Sequence, residues 1–180
     1  MSEHPDGRDR PATGRYPQPE SLPEWLEGVP MARPATAAGA LLRDGSGRLL
    51  LVDPVYKDGL DLPGGILEPG ETPTQGLVRE LGEELGVALP VGRLLVVDWC
   101  PDPVVGDKLL WVFDVGVLDP ALERDLHVDP AELAGWEWVE PAAVADRCPR
   151  ALARRIALAV AALGAGRTAY AEFGEPLPGE

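Results

Sequence analysis

Apolar and polar positions follow two rhythms along this chain, and the switches between them mark out its elements. Ala35 to Arg43 (ATAAGALLR) is an almost unbroken small and aliphatic run, and Arg48 to Asp53 (RLLLVD) is another. Asp44-Gly45-Ser46-Gly47 separates them, so the pair reads as two buried strands joined by a turn. Near Pro73 the period changes. Leu77, Val78, Leu81 and Leu85 recur at helical spacing. Thr72-Pro73-Thr74-Gln75 can form a capping box with Pro in the first turn, and Gly86 supplies a stop. The spacing predicts a helix from about Pro73 to Leu85. Two more strands are expected, Arg93 to Cys100 and Lys108 to Leu118. In the second, Leu109, Trp111, Phe113, Val115 and Val117 share one face at period two, which reads Trp111 as a core residue first and as a base-stacking candidate second. A helical turn over Pro141 to Asp146 precedes an Ala-rich helix over Ala151 to Gly164. That helix would pack Leu152, Ile156, Ala159, Val160 and Leu163, with Arg154 in solvent and Arg155 near the edge.

Strands, a loop and helix, more strands and then helices give no regular βαβ repeat. The expected class is α+β, a mixed β-sheet with helices on both faces in an α/β/α sandwich. Three segments are expected: an N-terminal extension (1–33), the folded domain (34–165) and a loose C-terminal tail (166–180). The extension is polar and rich in Pro, and about its first fifteen residues are expected to lack fixed structure. Glu20 to Gly28 could form one helical turn with Trp25 and Leu26 docked on the domain. The other reading of this arm is a cover for a partner protomer or a substrate cleft.

The helix after Thr72 breaks local rules. Glu80, Glu83 and Glu84 form an acidic stripe, with Glu80 and Glu84 on the flank of the apolar one and Glu83 further toward solvent. Glu80 and Glu84 are like charges one turn apart, at about 0.2–0.5 kcal/mol against the helix. Glu83 and Glu84 also sit at the negative end of the helix dipole, and Gly82 is a poor helix former. Such penalties cluster at functional sites. Three carboxylates on one edge suit a hard, oxygen-loving ion such as Mg2+ or Mn2+. The competing reading is an acidic solvated helix with an Arg79–Glu83 pair.

The surroundings decide between them. Pro63-Gly64-Gly65 precedes the helix as a loop where backbone can approach a ligand closely. Gly65, Glu71 and the run Arg79-Glu80-Leu81-Gly82-Glu83-Glu84-Leu85-Gly86-Val87 follow G-x5-E-x7-R-E-U-x-E-E-x-G-U, with U aliphatic. Every fixed position of the Nudix box is met, and the chain resembles a Nudix hydrolase. The resemblance implies a Nudix-type sandwich and metal-dependent pyrophosphohydrolase chemistry on phosphorus anhydrides. Glu80, Glu83 and Glu84 would hold divalent ions, with the carbonyl of Gly64 completing the shell. Such ions would mask phosphate charge and activate a water. Arg79 would pair with Glu71 or Glu83, and Glu71 would orient it. The general base would be Glu80 or Glu83, or a loop acid. Nudix proteins often carry an acid six positions before a strand Trp, as Glu132 stands before Trp138. An exposed turn residue is the other reading of Glu132, and Glu123 and Asp125 stand behind it as candidates.

Charge narrows the partners. With 16 Lys and Arg against 30 Asp and Glu, the net charge is −14. This argues against a nucleic-acid surface and against anionic membranes. Two cysteines, Cys100 and Cys148, and two histidines, His4 and His127, give little support for a disulfide framework, a His-rich zinc site or a Ser-His-Asp triad. There is no transmembrane-length apolar run and no signal-peptide pattern, so the cytoplasm is the expected compartment. Tyr56 and Lys57 could meet a substrate by stacking and by charge, or be ordinary loop residues, and Trp99 could stack a base. The family's substrates imply a small nucleoside diphosphate derivative first, of the ADP-ribose or nucleotide-sugar type, and a nucleoside triphosphate second. Pro103, sixteen residues beyond the box, is a mark of the ADP-ribose group. A non-catalytic nucleotide sensor is the reading of another class. A homodimer is possible, and no stretch identifies its interface.

Overall fold

The computed structural model describes residues 18–102, 104 and 106–178. Pro103 and about the first half of the N-terminal extension lie outside the described residues. Among the described residues eight strands form one sheet: β1 (Ala35–Arg43), β2 (Leu49–Pro54), β3 (Gly64–Ile66), β4 (Leu94–Asp102), β5 (Gly106–Val117), β6 (Leu133–Val139), β7 (Ala169–Glu172) and β8 (Glu175–Pro176). The order is β6-β2-β1-β5-β4-β7-β8, with β3 also paired to β1. β1–β5 and β4–β7 are parallel and the other pairs antiparallel, so the sheet is mixed. Among the described residues four α-helices accompany it: α1 (Pro73–Leu85), α2 (Pro120–Glu123), α3 (Val144–Arg147) and α4 (Arg150–Ala165).

Alternation along the strands builds two cores. On β2, Leu49 and Leu51 join Leu152, Ile156, Ala159 and Ala162 of α4, while Leu50 and Val52 join Leu77, Leu81 and Leu85 of α1 on the other face. The expected sandwich with helices on both faces is present. Leu77, Leu81 and Leu85 are all fully buried, and each stabilises the α1 layer by about 1.5–3 kcal/mol. The predicted capping box closes reciprocally: Thr72 accepts from the Gln75 N–H, and Gln75 accepts from the Thr72 N–H.

Several expectations are corrected. Val78 is 41% exposed, outside the apolar stripe. Its place is taken by Glu84, which lies two turns after Leu77 on the same side and is buried. Val117 is exposed and Leu118 buried, because a bulge between Asp114 and Gly116, opposite Leu41 and Leu42, reverses the alternation. Trp25 sits in a helical turn over Glu24–Leu26, but it is 76% exposed rather than docked. The segment expected as a loose tail supplies β7 and β8: Ala169 to Glu172 pair with Val96 to Trp99, and the hairpin forms the sheet edge. Arg155 is buried in an ion pair with Asp98, and Arg154 is held by the Phe173 carbonyl and Glu175 instead of standing free in solvent. Among the described residues no helix is long and apolar enough to cross a membrane. Cys100 and Cys148 are free thiols.

Candidate active site

The site is built where β3 delivers two glycines beneath α1. β3 pairs with the first half of β1, Gly65 facing Ala38 and Gly64 facing Gly39. Gly65 must lack a side chain because Glu80 of α1 lies against it. A Cβ there would stand 2.6 Å from the carboxyl carbon of Glu80 and 2.6 and 2.8 Å from its oxygens. The obstructing atoms are the far end of a flexible side chain. Gly65→Ala should therefore keep stability within about 1 kcal/mol of wild type. By displacing Glu80 it should lower metal-dependent turnover about 10- to 100-fold. Thermal denaturation and rate measured on the same preparation check both halves.

Glu84 points inward and accepts the Gly64 N–H at 2.7 Å. Burial pushes its pKa up to about 7, opposed by that hydrogen bond and reinforced by Glu80, Asp61 and Glu132. Burial also raises the Glu80 carboxyl, against the pull of Arg79 and with a push from Glu83 and Glu132. Arg79 is surrounded by acids. Glu71 grips it with two bonds, Nε–Oε1 at 2.9 Å and Nη2–Oε2 at 3.0 Å, while Nη1 donates to Glu80 at 2.9 Å and to Glu83 at 2.8 Å. The sequence expectation of Glu71 or Glu83 as its partner is exceeded, since both hold it and Glu80 joins them. Glu71's bonds, then the other acids, keep the guanidinium firmly charged.

Among the described residues no three acidic, His or Cys side chains already close around one point as a metal cage. Glu80 and Glu83 are instead turned to Arg79, and the Glu83 side chain is 57% exposed. The donors nevertheless suit a divalent ion. Glu84 is a buried carboxylate among like charges, and Glu80 and Glu83 can swing from Arg79 while Glu71 retains it. Glu80, Glu83 and Glu84 could thus hold a hard cation, whose charge would relieve their repulsion.

The outside candidates separate clearly. Glu132 lies close enough to act on Glu80, Glu84 and Tyr56, and its carbonyl accepts the Val55 N–H at 2.9 Å. Glu123 is engaged elsewhere, accepting from Trp138 Nε1 at 2.9 Å. Tyr56 is 72% exposed as a residue. Partial burial of its hydroxyl end raises the phenol pKa, offset by Lys57, with Asp61, Glu84 and Glu132 adding to the rise. Lys57 is paired with Asp61, and its Nζ lies 5.6 Å from the Tyr56 ring centroid. Trp99 is not brought to the acids: it faces Leu109 across β4–β5, three strands from β3 and roughly 14 Å away across the sheet. Asp61 was missed. It faces Val52 in an isolated bridge and acts on Glu84, and its only sequence signal was its place two residues before Pro63.

The NUDIX domain model matches residues 33–159, more than half of the chain. The chain belongs to the Nudix family of hydrolases. An RNA pyrophosphohydrolase of Hydrogenovibrio crunogenus is 31% identical over 119 residues, 57% of this chain and 71% of that protein. An 8-oxo-dGTP diphosphatase of Haemophilus influenzae is 28% identical over 118 residues, covering 50% and 87%. Among solved structures, a MutT protein from Methanosarcina mazei superposes with a TM-score of 0.62 at 21% identity, over 77% of this chain and all of that one. A UDP-X diphosphatase superposes at 0.63 with 24% identity, covering 82% and 72%. At that identity the two structures carry the fold alone. Nudix hydrolases work with a divalent metal ion, in keeping with the acids on α1.

Proposed function

We propose that this Nudix hydrolase cleaves the diphosphate linkage of a small nucleoside diphosphate derivative, of the ADP-ribose or nucleotide-sugar type, with Mg2+ or Mn2+. The observation that supports this reading is the buried Glu84 carboxylate held on the Gly64 N–H, with Glu80 lying against Gly65 and Glu132 near enough to act on both acids. When bound there, a divalent ion supplies positive charge to the phosphate oxygens and makes a water acidic enough to attack phosphorus. Glu80, Glu83 and Glu84 would hold it, and the Gly64 carbonyl is the backbone candidate for the same shell. Arg79, gripped by Glu71, would steady Glu80 and Glu83 beside the ion. Glu132 is poised to take the proton of the attacking water, with Glu80 or Glu83 as box alternatives. The bond to one phosphorus breaks as the oxygen–phosphorus bond to water forms, releasing two phosphorylated products.

Charge favours a diphosphate derivative over a triphosphate. Two cations of this region are already committed, Arg79 to three glutamates and Lys57 to Asp61. A triphosphate brings more negative charge for the same few cations to meet. Tyr56, which feels the charges of Glu84 and Glu132, could receive one end of the substrate by stacking. The triphosphate reading keeps support from the 8-oxo-dGTP diphosphatase relative. The sensor reading loses ground because every fixed box position is intact.

A phosphatase-coupled panel of nucleoside diphosphate derivatives and triphosphates, run with Mg2+, Mn2+ or chelator, tests the reading. The expected result is metal-dependent release of monophosphates from ADP-ribose or a nucleotide sugar. Turnover of triphosphates alone would replace it with the second reading. Binding detected by thermal shift with no turnover would replace it with a sensor.

A further inference from the structure

The C-terminal end of α1 is closed by a residue from a distant part of the chain. Gly86 adopts φ +70°, and its N–H returns to the Gly82 carbonyl at 3.1 Å. The space where a side chain at 86 would begin is filled by an imidazole. A Cβ there would stand 1.9 Å from His127 Cε1, 2.4 Å from Nδ1 and 2.5 Å from Nε2. The His127 backbone N–H also donates to the Leu85 carbonyl at 3.2 Å, one of the last helix carbonyls, which have no partner within the helix. His127 Nδ1 lies 3.1 Å from the Asp125 carbonyl, which can only accept, so Nδ1 carries the proton. The neighbours on both sides, Leu126 and Val128, pack into the α1-side core. Trp138 Nε1 secures Glu123 at the start of the same connection.

We propose that His127 is a positioning residue for the metal-binding acids, holding the last turn of α1 so that Glu83 and Glu84 stay aimed at the cation. Two carboxylates stand immediately before the carbonyl it caps. The backbone N–H of His127 caps that carbonyl whatever its side chain, so the ring's own part is to press on Gly86 and limit fraying of the turn that carries Glu83 and Glu84. The ring lies on Gly86 as a cover, and the Leu126 and Val128 anchors fix the cover to the domain. The inference rests on the reading that α1 binds a divalent ion.

The test is Mn2+ affinity of the full chain, read from the electron paramagnetic resonance of free Mn2+ well below the unfolding temperature. His127→Ala is expected to bind about tenfold more weakly than wild type, the scale of lost support behind a metal ligand. His127→Phe keeps a flat ring over Gly86 and should remain within about twofold of wild type. His127→Asn uncovers Gly86 while keeping a donor for the Asp125 carbonyl, and should fall between Phe and Ala. A purely structural role would lower the unfolding temperature and leave Mn2+ affinity unchanged. Should His127→Ala fail to fold, the order of Phe above Asn carries the test. Wild-type affinity in Ala, or in Asn where Ala does not fold, overturns the proposal and leaves the metal reading standing. Absence of Mn2+ binding by wild type overturns both.

Discussion

Replacing Glu84 by Gln is expected to remove about a thousandfold of metal-dependent hydrolysis and, at the same time, to stabilise the metal-free protein at pH 8. The two effects have one cause. Glu84 is 7% exposed and sits where an apolar residue of α1 would otherwise lie. Burial, with the charges of Glu80, Asp61 and Glu132, holds its pKa at about 7, against an ordinary value of 4.5. The folded state therefore binds more protons than the unfolded one between those limits. Stability is highest below the unfolded value, falls as pH rises through the window from 4.5 to about 7, and then levels. A shift of this size corresponds to on the order of 3 kcal/mol.

Gln keeps an oxygen to accept the Gly64 N–H and carries no charge at any pH. Thermal denaturation in chelator should show Glu84→Gln melting several degrees above wild type at pH 8, and close to it below pH 4.5. Mn2+ should reverse the order at pH 8, because only the wild type gains binding energy from the ion. At pH 5 the Mn2+ gain should shrink, since protons compete for the same carboxylates. A metal-free Glu84→Gln protein less stable than wild type at pH 8 would remove the argument that burying this charge beside other acids costs stability.

How much of this was legible before the structure depended on the range of each interaction. The cap at Thr72, the stop at Gly86 and the buried leucines of α1 are set by residues within a few positions of one another, and all stand as the spacing predicts. Glu84 shows the limit of that reasoning. Helical periodicity places it on the flank of the apolar stripe, two turns from Leu77, but does not say that the side chain is buried. What permits its burial is the Gly64 N–H, supplied by another element. Glu132 was reached by resemblance, since nothing local distinguishes it from Glu123. Asp61 carried no motif, and only the folding of β2 against the loop before β3 turns it toward Glu84. The β7–β8 hairpin was missed because AYAEFGEP has little strand signal of its own. Its pairing is parallel to β4, from which it is separated by β5, β6 and three helices.

That hairpin is held by the second large effect. Asp98→Ala is expected to destabilise the chain by about 3–5 kcal/mol, lowering the melting temperature by roughly 10 °C. Asp98 on β4 is fully buried and Arg155 on α4 is 7% exposed. Arg155 Nε donates to Asp98 Oδ2 at 2.6 Å, while Oδ1 accepts the Gly174 N–H from the β7–β8 turn at 3.0 Å. One carboxylate thus ties a central strand, the covering helix and the terminal hairpin together. Removing it leaves a buried guanidinium without its counter-charge and a buried N–H without an acceptor, the combination that makes a broken pair worse than none. The double variant Asp98→Leu/Arg155→Met removes both charges and should recover much of the loss, with Gly174 still unsatisfied. Asp98→Asn keeps an acceptor and should fall between wild type and Ala. Metal affinity should change little in all three, since the pair lies on the α4 face and the acids of α1 on the other. Denaturant unfolding of the series checks the order, and an Asp98→Ala protein as stable as wild type would show that the pair contributes nothing to holding the hairpin.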